Sequence, residues 1–321
     1  MSSRFAVPLL AILTLAALAV LGNFLPGWSV FLLVTAFAKG LAALGLVLII
    51  RGGLLSFGQG LFYCAGGYGA GLLMLWGGIN DAMLLVLAGG LVSLVLGAVI
   101  APLLAGYRSI FFATLTLALS MLAHGALTKA DFLGGSDGLN LRPPSFFGFQ
   151  PASSAESVYS LYLFACVLVV LSALACRVHF NSARGLLSLA VRDNEIRVEY
   201  LGASVRRVMS ENFTAAAFLG GIGGALNAIA VAHIDPELAF WTTSGEFVFV
   251  AILSGYLSVG AVFASAIVLE FIRSFSSQYF PNAWQMSLGI FMLASILFLP
   301  NGLGGLLQRR KKRAAAGSKQ P

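Results

Sequence analysis

The ionisable side chains of this chain are few and unevenly placed. The densest internal group lies between Arg177 and Asn227, in RVHFNSARGLLSLAVRDNEIRVEYLGASVRRVMSENFTAAAFLGGIGGALN. Arginines and carboxylates interleaved with leucines suit the recognition of another surface. They do not form a bond-breaking site. The chain has no HExxH pair for a metal and no paired-aspartate motif. Its histidines, His124, His179 and His233, are far apart in sequence. Cys64, Cys166 and Cys176 fit neither a metal site nor a disulfide framework and read as small packing residues. With no GxxxxGK[ST] the chain carries no P-loop, so any ATP that powers it binds on another polypeptide.

The elements that hold these residues are dictated by composition. Of 321 residues, 59% are hydrophobic and 10% charged, against roughly 25% charged in soluble domains. Apolar runs of about 18 residues or more recur, each long enough to cross a bilayer. The fold class is therefore all-α, a polytopic transmembrane helical bundle. A β-barrel needs short alternating segments instead. The net charge of +7 comes from basic residues beside the spans, as the positive-inside rule expects. No basic face interleaved with aromatics is present, so nucleic acid is not a partner.

In order, the chain reads as about ten membrane segments. Phe5 to Leu21 is an uncleaved first span, with a cleaved signal peptide as the alternative. Pro26-Gly27 breaks it from Phe31 to Ile50, which ends at Arg51. Arg51 to Gly77 is apolar but glycine-rich. It is either a tightly packed span or a broken segment lining a path, with Gln59 and Tyr63 facing that path. Gly67 and Gly71 form a GxxxG helix-packing pair, as do Gly220 and Gly224 further on. Ala82 to Leu104 and Phe111 to Leu127 follow, the latter with Thr116 and His124 as path candidates. Lys129 to Glu156 is a long outer connection with a Gly-Gly-Ser-Asp-Gly turn, a candidate plug or gate. Val158 to Cys176 and Phe213 to Val231 flank the charged stretch, and Asn227 is a further path candidate. His233 to Glu246 reads as an outer connection. Phe247 to Leu253 and Val259 to Phe271 read as two short segments around a turn at Ser254 to Ser258. Trp284 to Leu299 is the last span. Residues 1–308 form the permeation domain, with a cytoplasmic loop at 177–210 inside it. Residues 309–321 form a basic tail read as disordered. Arg4, Arg51, Arg108, the Arg177 to Arg207 group and the tail fall on one side, so both termini read as cytoplasmic. Ionisable residues read as nearly absent from mid-span. Glu246 and Glu270 are the nearest cases, at predicted segment ends, which argues against proton-coupled transport.

Within the charged loop, Ser182 can cap a helix to Arg192, Asp193-Asn194 makes a bend, and Glu195 to Leu201 forms a second short helix closed by Gly202. Two readings are open. The pair is a compact knob that docks in a partner's groove, or it is a helix lying on anionic lipid.

Several stretches resemble one family: GGLLSFGQGLFYCAGGYGAG (52–71), FFATLTLAL (111–119) with LGGSDGLN (133–140), NSARGLLSLAVRDNEIRVEYLGASVRRVMSENFTAAAFLGGIGGAL (181–225) and FLPNGLGGLL (298–307). The chain is similar to the permease subunits of branched-chain amino acid ABC transporters, the longer of the two paired permeases. The resemblance implies that Arg184, Gly185, Arg192, Asn194, Glu195, Glu199 and Gly202 belong to the loop that couples to ATPase subunits. It further implies a second permease completing the pore, two ATPase subunits carrying ATP-Mg, and a periplasmic solute-binding protein. It also implies the bacterial inner membrane as location and no cofactor on this chain. The cargo it implies is branched-chain amino acids or a related small solute such as urea, an amide or a small acid. The segment SGYLSVGAVFAS (254–265) departs from the family's usual Gly-Gly and Gly-Pro pattern and points to a divergent subgroup. The alternative function is an ATP-independent channel or facilitator for a small polar solute.

Overall fold

A computed structural model describes residues 3–298 apart from 147, 150, 152, 257 and 282, together with 302–305. The basic tail at 309–321 lies outside the described residues, as does Leu257 in the expected turn. The chain is a bundle of helices. They are α1 (Ser3–Phe24), α2 (Gly27–Arg51), α3 (Gln59–Gly77), α4 (Ala82–Leu104), α5 (Ser109–Thr128), α6 (Ser154–Phe180), α7 (Ala183–Asp193), α8 (Glu195–Tyr200), α9 (Val205–Val231), α10 (Trp241–Ser254), α11 (Val259–Tyr279) and α12 (Trp284–Phe298). Among the described residues, six helices are long and apolar enough to cross a membrane: α2, α4, α5, α6, α9 and α11.

Two helices make the centre. α2 is buried along almost its whole length, and α9 packs on α2, α3 and α4. Glycines allow this closeness. Gly66 of α3 faces the backbone of Gly221 of α9, and Gly224 faces the backbone of Tyr63, leaving no room for a Cβ at either place. Small-residue stripes drive such crossings in lipid, where hydrophobicity cannot hold helix to helix. Of the four glycines expected to pack helices, Gly224 meets backbone, Gly220 meets the Gln59 side chain and Gly71 meets Ile234. Gly67 has ordinary van der Waals space. α4 and α5 lie outside this centre and expose Leu91, Val95, Val99, Ile110, Phe111 and Leu122.

The glycine-rich stretch after Arg51 is not helical throughout. Residues 52–58 run irregularly before α3, with Leu54, Ser56 and Gly58 buried. Irregular backbone at membrane depth needs partners within the protein. Thr116 Oγ1 accepts from Phe57 N at 3.1 Å, Ser56 Oγ from Gly58 N at 3.2 Å, and Ser244 Oγ from Gly60 N at 2.9 Å.

The connection from Lys129 to Glu156 is pinned. A short strand β1 (Leu139–Asn140) pairs antiparallel with β2 (His233–Ile234), Leu139 opposite Ile234. Gly134 to Gly138 spells G-x-S-x-G. It folds as 3₁₀ turns, and Ser136 Oγ donates to Asp137 at 3.2 Å, so it is not the strand-to-helix elbow of a hydrolase. The helix break after Ser254 is present, with Gly255 at φ +70°. Both flanking helices are longer than expected from the apolar runs. α10 begins at Trp241, inside the stretch read as a connection, and α11 continues to Tyr279.

Candidate functional site

Two groups of polar residues stand at opposite ends of the bundle. The first is the α7–α8 knob, where α6 ends and α9 begins. Ser182 Oγ accepts from Gly185 N at 3.3 Å to start α7. Asn194 ends α7 and caps α8 through Arg197 N at 2.9 Å. Gly185 lies against the backbone of His179 and Phe180, where no Cβ fits. Gly202 sits at φ +82° with open space around it, a conformation that favours glycine.

Three contacts fasten the knob to the bundle. Glu195 pairs with Arg108, between α4 and α5, at 2.8 Å. Asn212 Nδ2 of α9 donates to Ser188 Oγ at 2.8 Å, both buried. The Arg192 guanidinium lies 3.9 Å from the Tyr256 ring centroid, at the turn between α10 and α11. Arg184 adds a looser pair to Glu211 at 3.3 Å. Glu199 is exposed. Beyond these anchors the knob turns apolar side chains outward: Leu186, Ile196, Tyr200 and Leu201 are 58%, 66%, 86% and 78% exposed. The knob is thus tied to α4–α5, α9 and α10–α11 together, and its outer face lacks the cover that such residues need in water.

The second group corrects the expectation that mid-span charge is nearly absent. Lys39 lies at the middle of α2 and is buried. Its Nζ is 3.0 Å from Glu246 Oε2 of α10 and 2.8 Å from Glu270 Oε2 of α11. Arg273, one turn past Glu270, reaches Glu246 at 3.5 Å. The four line a cavity of about 1160 Å³ with Thr35, Tyr63, Asn227 and apolar residues including Trp28, Phe31 and Trp284. Its walls are the first halves of α2 and α10, the last halves of α9 and α11, and the start of α12, with Tyr63 of α3 and Leu238 completing them. The cavity therefore runs from one end of the bundle toward its middle.

Of the path candidates, Tyr63 and Asn227 line this cavity, and Gln59 and Thr116 are not among its lining residues. Gln59 is fully buried, its Nε2 donating to Ala216 O at 2.8 Å, which ties α3 to α9. Thr116 caps the irregular stretch described above. His124 holds Pro236 O at 3.0 Å. No cluster of His, Cys, Asp and Glu fit for a metal is present among the described residues, and the three cysteines are buried and free. In the sequence Lys39 is hidden because one lysine barely lowers the apolarity of the run that contains it, and its signal there is a single charge inside an apolar run.

Comparison with known proteins decides the family. The family described as "Branched-chain amino acid transport system / permease component" matches residues 28–298. This chain belongs to that permease family. The permease is 28% identical over 302 residues to the high-affinity branched-chain amino acid transport system permease protein LivM of Escherichia coli K12, covering 86% of this chain and 70% of that protein. It is 29% identical over 283 residues to LivM of Salmonella typhimurium LT2, covering 81% and 66%. No solved structure matches it. The matched region contains both the knob and the charged cavity of the permease.

Proposed function

We propose that this permease is the membrane-spanning subunit of an ATP-driven ABC importer and forms half of a translocation path. The cargo is branched-chain amino acids or a related small polar solute. A second permease completes the pore, two ATPase subunits hold ATP-Mg, and a periplasmic binding protein delivers the solute. The chain itself binds no cofactor. Ten helices cross or enter the bacterial inner membrane: the six long ones with α1, α3, α10 and α12. Both termini and the α7–α8 knob face the cytoplasm, and the charged cavity opens on the periplasmic side.

The observation that carries this reading is the knob's construction. Its anchored side carries Arg184, Gly185 and Arg192, with Glu195 bound to Arg108 and Asn194 capping α8, and its free face presents Leu186, Ile196, Tyr200 and Leu201. An ATPase groove that takes this apolar face moves three parts of the bundle at once. Closure of an ATPase dimer then becomes a rigid-body change of the path.

The test is co-purification from native membranes. Wild-type chain brings down ATPase subunits, and Ile196→Asp with Tyr200→Asp loses them while the helical content and detergent elution stay unchanged. Full retention of the ATPase by the double variant overturns the docking role. Solute uptake by the chain in ATP-free vesicles overturns the importer reading in favour of a facilitator.

A further inference from the structure

Stability does not explain the Lys39 quartet. Charges deep in a bundle are costly to desolvate, and apolar residues of similar volume usually hold a core as well or better. Ionisable residues at membrane depth mark ligand and ion paths. Here Lys39, Glu246 and Glu270 keep side-chain exposures of only 10%, 12% and 13%, and all three line the cavity. Lys39 stands twelve residues into α2, about 18 Å along the helix axis from its first residue.

The charges balance. Two cations, Lys39 and Arg273, face two carboxylates, Glu246 and Glu270. Beside them Tyr63, 1% exposed, carries a hydroxyl with no hydrogen-bond partner, and its residue lines the same cavity. Trp28, Phe31 and Trp284 supply apolar wall. At about 1160 Å³ the cavity lies just above the roughly 300–1,000 Å³ range of small-molecule sites.

We infer that this quartet is a binding site for a zwitterionic α-amino acid in the translocation path. The ligand carboxylate takes Lys39 and Arg273, its ammonium takes Glu246 and Glu270, and its side chain lies on the aromatic wall. Tyr63 supplies one further hydrogen bond. A ligand with one positive and one negative end replaces a protein ion pair by two ligand pairs and leaves the site neutral. A neutral amide matches neither charge. A simple acid or amine matches one and strands the other inside a low-dielectric site, which is costly. The inference rests on the importer reading for its direction of transport, and within that reading it selects amino acids over urea, amides and small acids.

The experiment measures binding to the full chain, with its co-purifying subunits, in lipid nanodiscs and without the binding protein. L-leucine is titrated against the fluorescence of Trp28 and Trp284. The expected result is a saturable change that 4-methylpentanamide, 4-methylpentanoate and 3-methylbutylamine fail to compete at equal concentration. The double variant Lys39→Met with Glu270→Gln removes one cation and one anion, so no buried charge is stranded. It should keep its elution and most of its thermal stability yet bind leucine roughly tenfold or more weakly, the loss expected for one charged hydrogen bond. Glu246→Gln with Arg273→Gln repeats the test at the cavity mouth. Should both pairs fail to fold, analogue competition on the wild type decides. Equal competition by the amide, unchanged leucine affinity in a folded double variant, or no saturable response to leucine overturns the zwitterion site. ATP-dependent uptake of an amide in preference to leucine overturns it while leaving the importer reading intact. Saturable leucine binding together with leucine uptake into ATP-free vesicles sinks the importer reading and leaves the site.

Discussion

The knob and the cavity use the same chemistry, arginine or lysine against glutamate, in different surroundings. Arg108–Glu195 is 30% and 39% exposed, and Arg207–Glu211 is 77% and 31% exposed. Lys39 and its two glutamates are near 10%. Exposed pairs are screened by water and salt and are worth about 0–1 kcal/mol. They set the orientation of a loop at small thermodynamic stake. Buried pairs are different: removing one partner leaves the other stranded without water. A bundle can therefore tune its docking loop freely, whereas its inner charges must be kept as a balanced set.

The sharpest way to break this contrast is to unbalance the inner set. Lys39→Met alone should destabilise the chain by about 3–5 kcal/mol, read as a large fall in melting temperature in detergent. Adding Glu270→Gln should recover most of that loss. A double variant no more stable than the single one would mean that the charges act independently. Next comes packing at the α3–α9 crossing beside the cavity. Gly224→Ala forces a Cβ into the backbone of Tyr63 and should cost about 1–3 kcal/mol. Gly67→Ala, on the facing helix α3, where a Cβ meets only ordinary van der Waals contacts, should shift the melting temperature little. Equal effects at the two glycines would show that the crossing is looser than these contacts require. Ser188→Ala removes the buried partner of Asn212 and should cost about 1–3 kcal/mol, with faster hydrogen exchange across α7. The smallest effect is expected at the knob surface. Glu195→Gln should change stability by under about 1 kcal/mol, and raising salt to about 1 M should erase the difference from wild type. A large, salt-independent loss there would place the Arg108 pair with the buried set instead.

The bundle's composition made most of the fold legible. Long apolar runs give helices wherever backbone groups cannot reach water, and the breaks at Pro26-Gly27, Asn194 and Gly255 are local turn chemistry visible in the letters. The knob was equally legible, because its caps Ser182 and Asn194 act within three residues of themselves. The path candidates were less so. Polar residues in an apolar run all look alike in sequence. Packing then assigns Gln59 and Thr116 to holding backbone and brings Tyr63 and Asn227 to the cavity. The start of α10 is not legible in the sequence, because Trp241 to Glu246 is polar at its edge and helical only in the fold.

By itself the sequence determined solvent, helix content, the breaks and the capped loop, since each depends on nearest neighbours and average polarity. Only the tertiary structure decided what Lys39 is. Its partners Glu246 and Glu270 lie 207 and 231 residues away and reach it only when α10 and α11 pack on α2. The meaning of a buried charge depends on what surrounds it at a few ångströms, and no local pattern encodes that distance.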